Sequence, residues 1–222
     1  MDFGASISKQ FKNIANLIIG IILSVIPIIN ILTIPGYFLR IANRTMNKDN
    51  SLPGFDNFGE LVVNSLKMIV VGIVYGVIGF IVAFVLMLIP VAGLYLAVIW
   101  CIIWMFVSIS AMMLLAKAGN LGDAFKFGEV FGKAKNGGFV ASVIVGAIVA
   151  AIIMVVVMLI LLLIFAASML GVFLAAMSNP MALSALLMGL FGSMLIGIVI
   201  LGIVAYIVSI FFYSFVASAY PQ

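Results

Sequence analysis

The sequence predicts an all-α, polytopic integral membrane protein, with about five to six membrane helices arranged as hairpins and joined by cytoplasmic interfacial amphipathic helices. Three observations carry that reading. Hydrophobic residues make up 67% of the 222-residue chain and charged residues only 7%, with a mean hydropathy of +1.47. A soluble domain has about 25% charged residues to cover its surface. The charges are also segregated: all ten Lys and Arg and all six Asp and Glu fall within residues 2–67 and 117–135. Finally, the uncharged tracts Met68–Ala116 and Asn136–Gln222 each exceed the ~20 residues a helix needs to cross a bilayer core of ~30 Å.

The net charge of +4 matters through its position. Small basic excesses around Lys9 and Lys12, between Arg40 and Lys67, and between Lys117 and Lys135 place those segments on the cytoplasmic side of a cell membrane. They are too few, and too mixed with carboxylates, to form a nucleic-acid surface, so no nucleic-acid partner is expected. Cys101 is single and no disulfide framework exists. Beside Trp100 in an apolar run, it reads as a buried, inert thiol. Histidine is absent, which removes imidazole bases and His-containing zinc sites. With no nucleophile–base pair and no metal-ligand set in the sequence, the expectation is a non-enzyme without catalytic residues, metal or cofactor.

Taken in order, residues 1–13 form an interfacial helix. Phe3, Ile7, Phe11 and Ile14 recur at helical spacing, and Lys9, Gln10 and Lys12 lie elsewhere. The following run, Ile14–Leu39, is too long for a signal-peptide core and holds Pro27 and Pro35, so cleavage is not expected. Pro35-Gly36 reads as a strong break. Residues 14–45 therefore make a broken first hairpin that either re-enters at half depth or spans. Polar Asn30 and Thr33, with freed backbone at Pro35, mark the line a pathway would follow.

After a loop rich in Asn, Ser, Pro and Gly, residues 55–67 form a second interfacial helix. Asn57 and Glu60 make a capping box, and Phe55, Phe58, Leu61, Val62 and Leu66 lie on the face opposite Glu60, Asn64 and Lys67. Residues 68–117 are a second hairpin turning at Pro90. A third interfacial helix spans 121–135, where Phe127-Gly128-Glu129-Val130 repeats Phe58-Gly59-Glu60-Leu61. The third hairpin, 137–219, turns at Ser178-Asn179-Pro180. Each of its arms is about 39 residues, or near 58 Å as straight helix. Tilt, a break near Gly171 or Gly189/Gly192, or an apolar extension must absorb that length.

The residues Gly36-Tyr37-Phe38-Leu39-Arg40, then Leu52-Pro53-Gly54-Phe55-Asp56-Asn57-Phe58-Gly59-Glu60-Leu61 and Lys67, carry a resemblance. They are similar to the pattern of a prokaryotic, largely archaeal membrane-protein family catalogued as domain of unknown function 4013. The pattern reads roughly G-Y-L-x-R, then L-P-x-F-D-x-W/F-G-E-L. The resemblance implies a polytopic membrane protein, and it brings no established activity and no catalytic residue with it.

Candidate residues fall in three groups. Phe55, Phe58, Glu60, Lys67, Phe127, Glu129 and Lys133 are the interfacial-helix set. Glu60 and Glu129 either pair as an ion or substrate site, or pair locally, Glu60 with Asn64 or Lys67 and Glu129 with Lys133. Gly72 and Gly76, and Ser142 and Gly146, form small-residue ridges for helix packing, within the chain or between copies. Asn30, Thr33 and Pro35 are the pathway set. The function expected is a non-catalytic membrane scaffold or assembly component, with lipid and either a second copy or a membrane protein as partner. The alternative is a small oligomeric transporter or channel for ions or neutral solutes.

Overall fold

The computed structural model describes residues 3–49, 51–178 and 183–221. Every regular element among them is helical. The chain opens with α1 (Phe3–Ser8) and a 3-10 turn (Lys9–Phe11), followed by α2 (Ile14–Val25) and α3 (Pro27–Met46). It continues with α4 (Phe58–Met87) and α5 (Gly93–Ala118), a second 3-10 turn (Leu121–Phe125), α6 (Phe127–Ala134), α7 (Gly137–Ser178) and α8 (Leu183–Ser218). Among the described residues four helices, α4, α5, α7 and α8, are long and apolar enough to cross a membrane, against the five to six spans expected.

The first hairpin breaks at Ile26, whose extended backbone precedes Pro27 at the first position of α3. Proline is at home there because the first helical N–H groups lack partners anyway. Asn13 starts α2, its side chain accepting the Asn16 N–H. Pro35 does not end the helix as its sequence predicts: α3 runs through it to Met46. The physical reason lies on α4. The Gly36 N–H, next to the missing proline donor, donates to Ser65 Oγ at 2.7 Å. The two backbones come so close that a Cβ on Gly36 would sit 2.1 Å from the Leu61 carbonyl oxygen.

α3 is the hub of the bundle, packing on α2, α4, α5 and α8. Tyr37, Ile41 and Ala42 on it are fully buried. α4 and α5 pair in antiparallel fashion, with indole N–H groups as rungs. Trp104 donates to the Tyr75 carbonyl at 2.7 Å and Trp100 to the Gly79 carbonyl at 3.1 Å. Both tryptophans thus pack within the hairpin, and each buried donor is satisfied inside the apolar layer.

The expected interfacial helix at 55–67 is not a separate element. α4 runs without a break from Phe58 through Lys67 to Met87, since no Gly-Pro signal interrupts it. Asn57 adopts a left-handed conformation and makes no side-chain cap, so the expected capping box is absent and Glu60 turns elsewhere. The connector at 121–135 is likewise two pieces. The Tyr75 hydroxyl donates to the Ala124 carbonyl at 2.7 Å, drawing that carbonyl toward α4 where the 3-10 turn gives way to α6.

α7 is 42 residues long and α8 36, continuous through Gly171, Gly189 and Gly192. They pack on one another. Among the described residues, only the thirds nearest the polar end, Phe139–Gly146 and Tyr206–Tyr220, contain residues buried in the bundle. Beyond these the pair stands as a bare apolar arm. The expected turn residues Asn179 and Pro180 lie outside the described residues.

Cys101 is exposed, not buried. An apolar helix facing lipid carries small apolar groups outward as readily as inward.

Two substitutions test the α3–α4 crossing. Gly36→Ala meets a backbone carbonyl that cannot rotate away, so it is expected to destabilise by about 1–3 kcal/mol or more. Ser65→Ala leaves the Gly36 N–H buried without its partner, at about 1–3 kcal/mol. Unfolding midpoints in detergent check both, and a Gly36→Ala midpoint equal to wild type would contradict the crossing.

Candidate functional site

The polar groups gather at one end of the bundle, where the family-like stretch closes on itself. Arg40 is its centre. Its Nη1 donates to the carbonyls of Gly54 at 2.9 Å and Asp56 at 3.0 Å, and its Nη2 meets Glu60 Oε2 at 3.2 Å. Only 13% of the Arg40 side chain is exposed, against 56% for Glu60. One helical turn earlier, the Tyr37 hydroxyl donates to the Pro53 carbonyl and its ring stacks on Phe55 at 4.2 Å. The loop between α3 and α4 is thus clasped by a planar cation and an aromatic ring. A guanidinium suits this task because it presents several donors in fixed directions.

Beside the clasp lies a polar cavity of about 320 Å³ between the ends of α3, α4 and α5. Arg40 and Asn43 line it from α3, Glu60, Asn64 and Lys67 from α4, and Gly119 from beyond α5. Glu60, Asn64 and Lys67 share a stripe because they are spaced four and three residues apart. The α5 end is capped from both neighbours: Asn43 Nδ2 donates to the Ala116 carbonyl at 2.8 Å and Lys67 Nζ to the Gly119 carbonyl at 2.7 Å. Gly119 itself has φ +71°, the left-handed turn that ends the helix.

Of the expected local pairs, Asn64 does donate to Glu60, at 3.4 Å. Lys67 instead reaches Gly119 and Lys133 reaches the Pro221 carbonyl at 3.0 Å. Glu129 is exposed on α6 and does not line the Glu60 cavity. Phe58 and Phe127 each open a helix and are both exposed. The residues three further on, Leu61 and Val130, are fully buried. The Val130 carbonyl accepts the Ser110 hydroxyl at 3.0 Å, and the Leu61 carbonyl abuts Gly36.

The packing and pathway residues fall as follows. Ser142 is fully buried and Gly146 lies against Phe212 and Phe215, so that ridge joins α7 to α8. On α4, Gly72 makes only ordinary contact with Met112 and Gly76 faces open space, while it is Gly79 that Trp104 covers closely. Asn30 Nδ2 donates to the Ser24 carbonyl at 2.6 Å and Thr33 Oγ1 to the Ile29 carbonyl at 2.8 Å. The first ties α3 back to α2 across the break, the second is a bond within α3, and Pro35 lies inside α3.

The sequence sets Lys9 apart from the apolar stripe of the first helix. Lys9 is fully buried: its Nζ donates to Thr45 Oγ1 at 2.7 Å and to the Asp49 carbonyl at 3.0 Å. Thr45 in turn lies 3.3 Å from Ser214 Oγ, so one polar chain joins the N-terminus, α3 and α8. Burial pushes the Lys9 ammonium down from 10.5 to about 8, with Asp49 opposing the shift and Arg44 and Lys12 adding to it. Asn43 and Ser65 also escaped the sequence reading, because a polar residue within a helical run carries no spacing signal of its partner.

Together these features define an all-α protein with four long apolar helices and one polar end. The chain belongs to the family described as protein of unknown function (DUF4013), whose model matches residues 19–164. The matched range contains the whole Arg40 clasp and ends within α7. No curated protein and no solved structure matches the chain.

The Lys9 shift sets a pH dependence. Above about 8 the folded chain releases a proton that the unfolded chain keeps to about 10.5, so stability rises with pH across that window. Below about 8 both forms hold it and Lys9 adds no slope. Lys9→Met is expected to abolish this part of the rise, read as the wild-type minus variant unfolding midpoint between about pH 8 and pH 10.

Proposed function

We propose that the chain is a multi-pass integral membrane protein that acts without catalysis, as a scaffold or assembly component, through the arm formed by α7 and α8. One observation carries the reading. At 1.5 Å per residue the 42 residues of α7 extend for about 63 Å. Fitting that length within a hydrocarbon core of ~30 Å needs a tilt of about 60°, beyond the 0–40° that membrane helices adopt. Part of the arm therefore leaves the core. Its distal residues, Phe173, Leu174, Met177, Met188 and Phe191 among them, are exposed and uncharged. Outside the core such a surface needs apolar cover, which a second copy or a membrane-protein partner supplies.

In this reading α4, α5, α7 and α8 span, and α2–α3 enters to half depth and returns. The return is supported by Lys9 and Asn16, before and within α2, which reach Thr45 and Leu52 around the end of α3. The basic excess at the polar end supports a cytoplasmic facing for it, and the exposed apolar stripe Phe3, Ile7 and Phe11 on the first turns suits contact with lipid. The transporter or channel alternative draws less support, because Asn30 and Thr33 already donate to the backbone of their own hairpin.

Two measurements test the proposal. In a Cys101→Ser background, thiols placed at Ser51 and Asn120 are expected to label from one face of the membrane and a thiol at Val91 from the other. Labelling of all three from the same face would refute the topology. Native mass spectrometry of the full chain is expected to show an assembly above the 23.7 kDa protomer, homomeric or with a partner, that Phe173→Lys reduces to the protomer. A wild-type chain that is monomeric and partner-free after gentle solubilisation would end the scaffold reading.

A further inference from the structure

We propose that the polar cavity between α3, α4 and α5 binds a phosphate ester, with the headgroup phosphate of a membrane lipid as the form of that chemistry nearest its mouth. The cavity, about 320 Å³, is roomy enough for a phosphate with a small substituent, and its walls carry two cations against one carboxylate. Arg40 is held by Gly54, Asp56 and Glu60 and supplies field more than contact. Lys67 differs. Its recorded hydrogen bond goes to a neutral carbonyl, Gly119, so its charge is not matched there by an anion, and an ammonium has three donors to offer. The amides of Asn43 and Asn64 flank it.

Position selects the source. Lys67 is the last charge before Met68–Met87, an uncharged stretch of α4 that matches a ~30 Å hydrocarbon core. This step rests on the membrane reading above. Lys67 then stands at headgroup level, where lipid phosphates lie. Glu60 on the same wall disfavours multiply charged anions, so a singly charged diester fits best.

The test uses the delipidated full-length protein in detergent, with three probes followed by native mass spectrometry. These are dioleoylphosphatidylglycerol, dioleoylglycerol (the same tails without phosphate) and glycerophosphoglycerol, the same singly charged diester without tails. A single phosphatidylglycerol is expected to be retained and dioleoylglycerol lost. Lys67→Gln should lower retention about tenfold or more, Lys67→Arg should preserve it, and Lys12→Gln, outside the cavity, should leave it unchanged. Asn64→Leu narrows the cavity without changing its charge and should also lose the lipid. That variant decides the matter if Lys67→Gln fails to fold. Glycerophosphoglycerol binding as tightly as the lipid would identify a soluble phosphate ester as the ligand, and binding of the lipid alone would identify the headgroup. The proposal is overturned if neither phosphate probe binds, if dioleoylglycerol is retained equally, or if both cavity variants hold lipid as wild type does. The same spectra report assembly mass, so loss of lipid binding with assembly intact leaves the scaffold reading standing.

Discussion

The structure depends on one backbone crossing. At Gly36 the central helix α3 meets α4 without a side chain between them, and Ser65 receives the Gly36 N–H. That contact sets the register of the two helices: four residues later on α3, Arg40 meets Glu60, five residues before Ser65 on α4. The antiparallel register then brings Asn43 to the end of α5 and Lys67 to Gly119. Shift the crossing by one residue and the clasp, the cap on α5 and the cavity all lose their partners. The helix-breaking dipeptide Pro35-Gly36 is therefore better understood as a docking device. Proline leaves an opening in the donor ladder, and glycine lets another helix approach it.

The two ends of the molecule obey different rules. At the polar end, loops, termini and connectors are fastened by hydrogen bonds to backbone carbonyls, from Tyr37, Tyr75, Ser110 and Tyr220. Away from it α4 and α5 keep two indole rungs, Trp104 to Tyr75 and Trp100 to Gly79, while α7 and α8 join by packing and outrun the rest of the bundle. A hairpin whose tip lacks any charge has no electrostatic reason to stop at the membrane surface. What limits it is the apolar surface it finds.

Much of this was legible in the sequence, and the reasons for the rest are physical. Charge segregation gave the hairpin order, because charge is excluded from the apolar layer. The stretch from Gly36 to Lys67 was legible as a unit, because its residue types are unusual in so apolar a chain. Proline chemistry made a broken first hairpin legible, yet the strong break was read at Pro35-Gly36 and falls at Ile26–Pro27, since the partner that rescues Pro35 lies 30 residues on. Cys101 was misread by applying a soluble protein's inside–outside rule to a helix whose outside is apolar. The burial of Lys9 escaped for the converse reason: where the outer face of a helix meets lipid, its polar face turns inward. The expected interfacial helix at 55–67 failed as a separate element, because amphipathic periodicity reports which face is wet and says nothing about where a helix stops.

The excess of cations over carboxylates then takes on a meaning beyond topology. With ten basic and six acidic residues, the chain does not neutralise its cations pairwise. Lys9 donates to the Asp49 carbonyl and Lys67 to that of Gly119. A carbonyl dipole orients an ammonium and offsets part of its desolvation, but it leaves the net charge in place. At Lys9 that residual charge is buried, and the ammonium gives up its proton more readily. At Lys67 it opens onto a cavity at the edge of the apolar layer, and an anion is what completes it. The same bonding habit thus yields a latch at one lysine and a binding site at another, and burial is the variable that separates them.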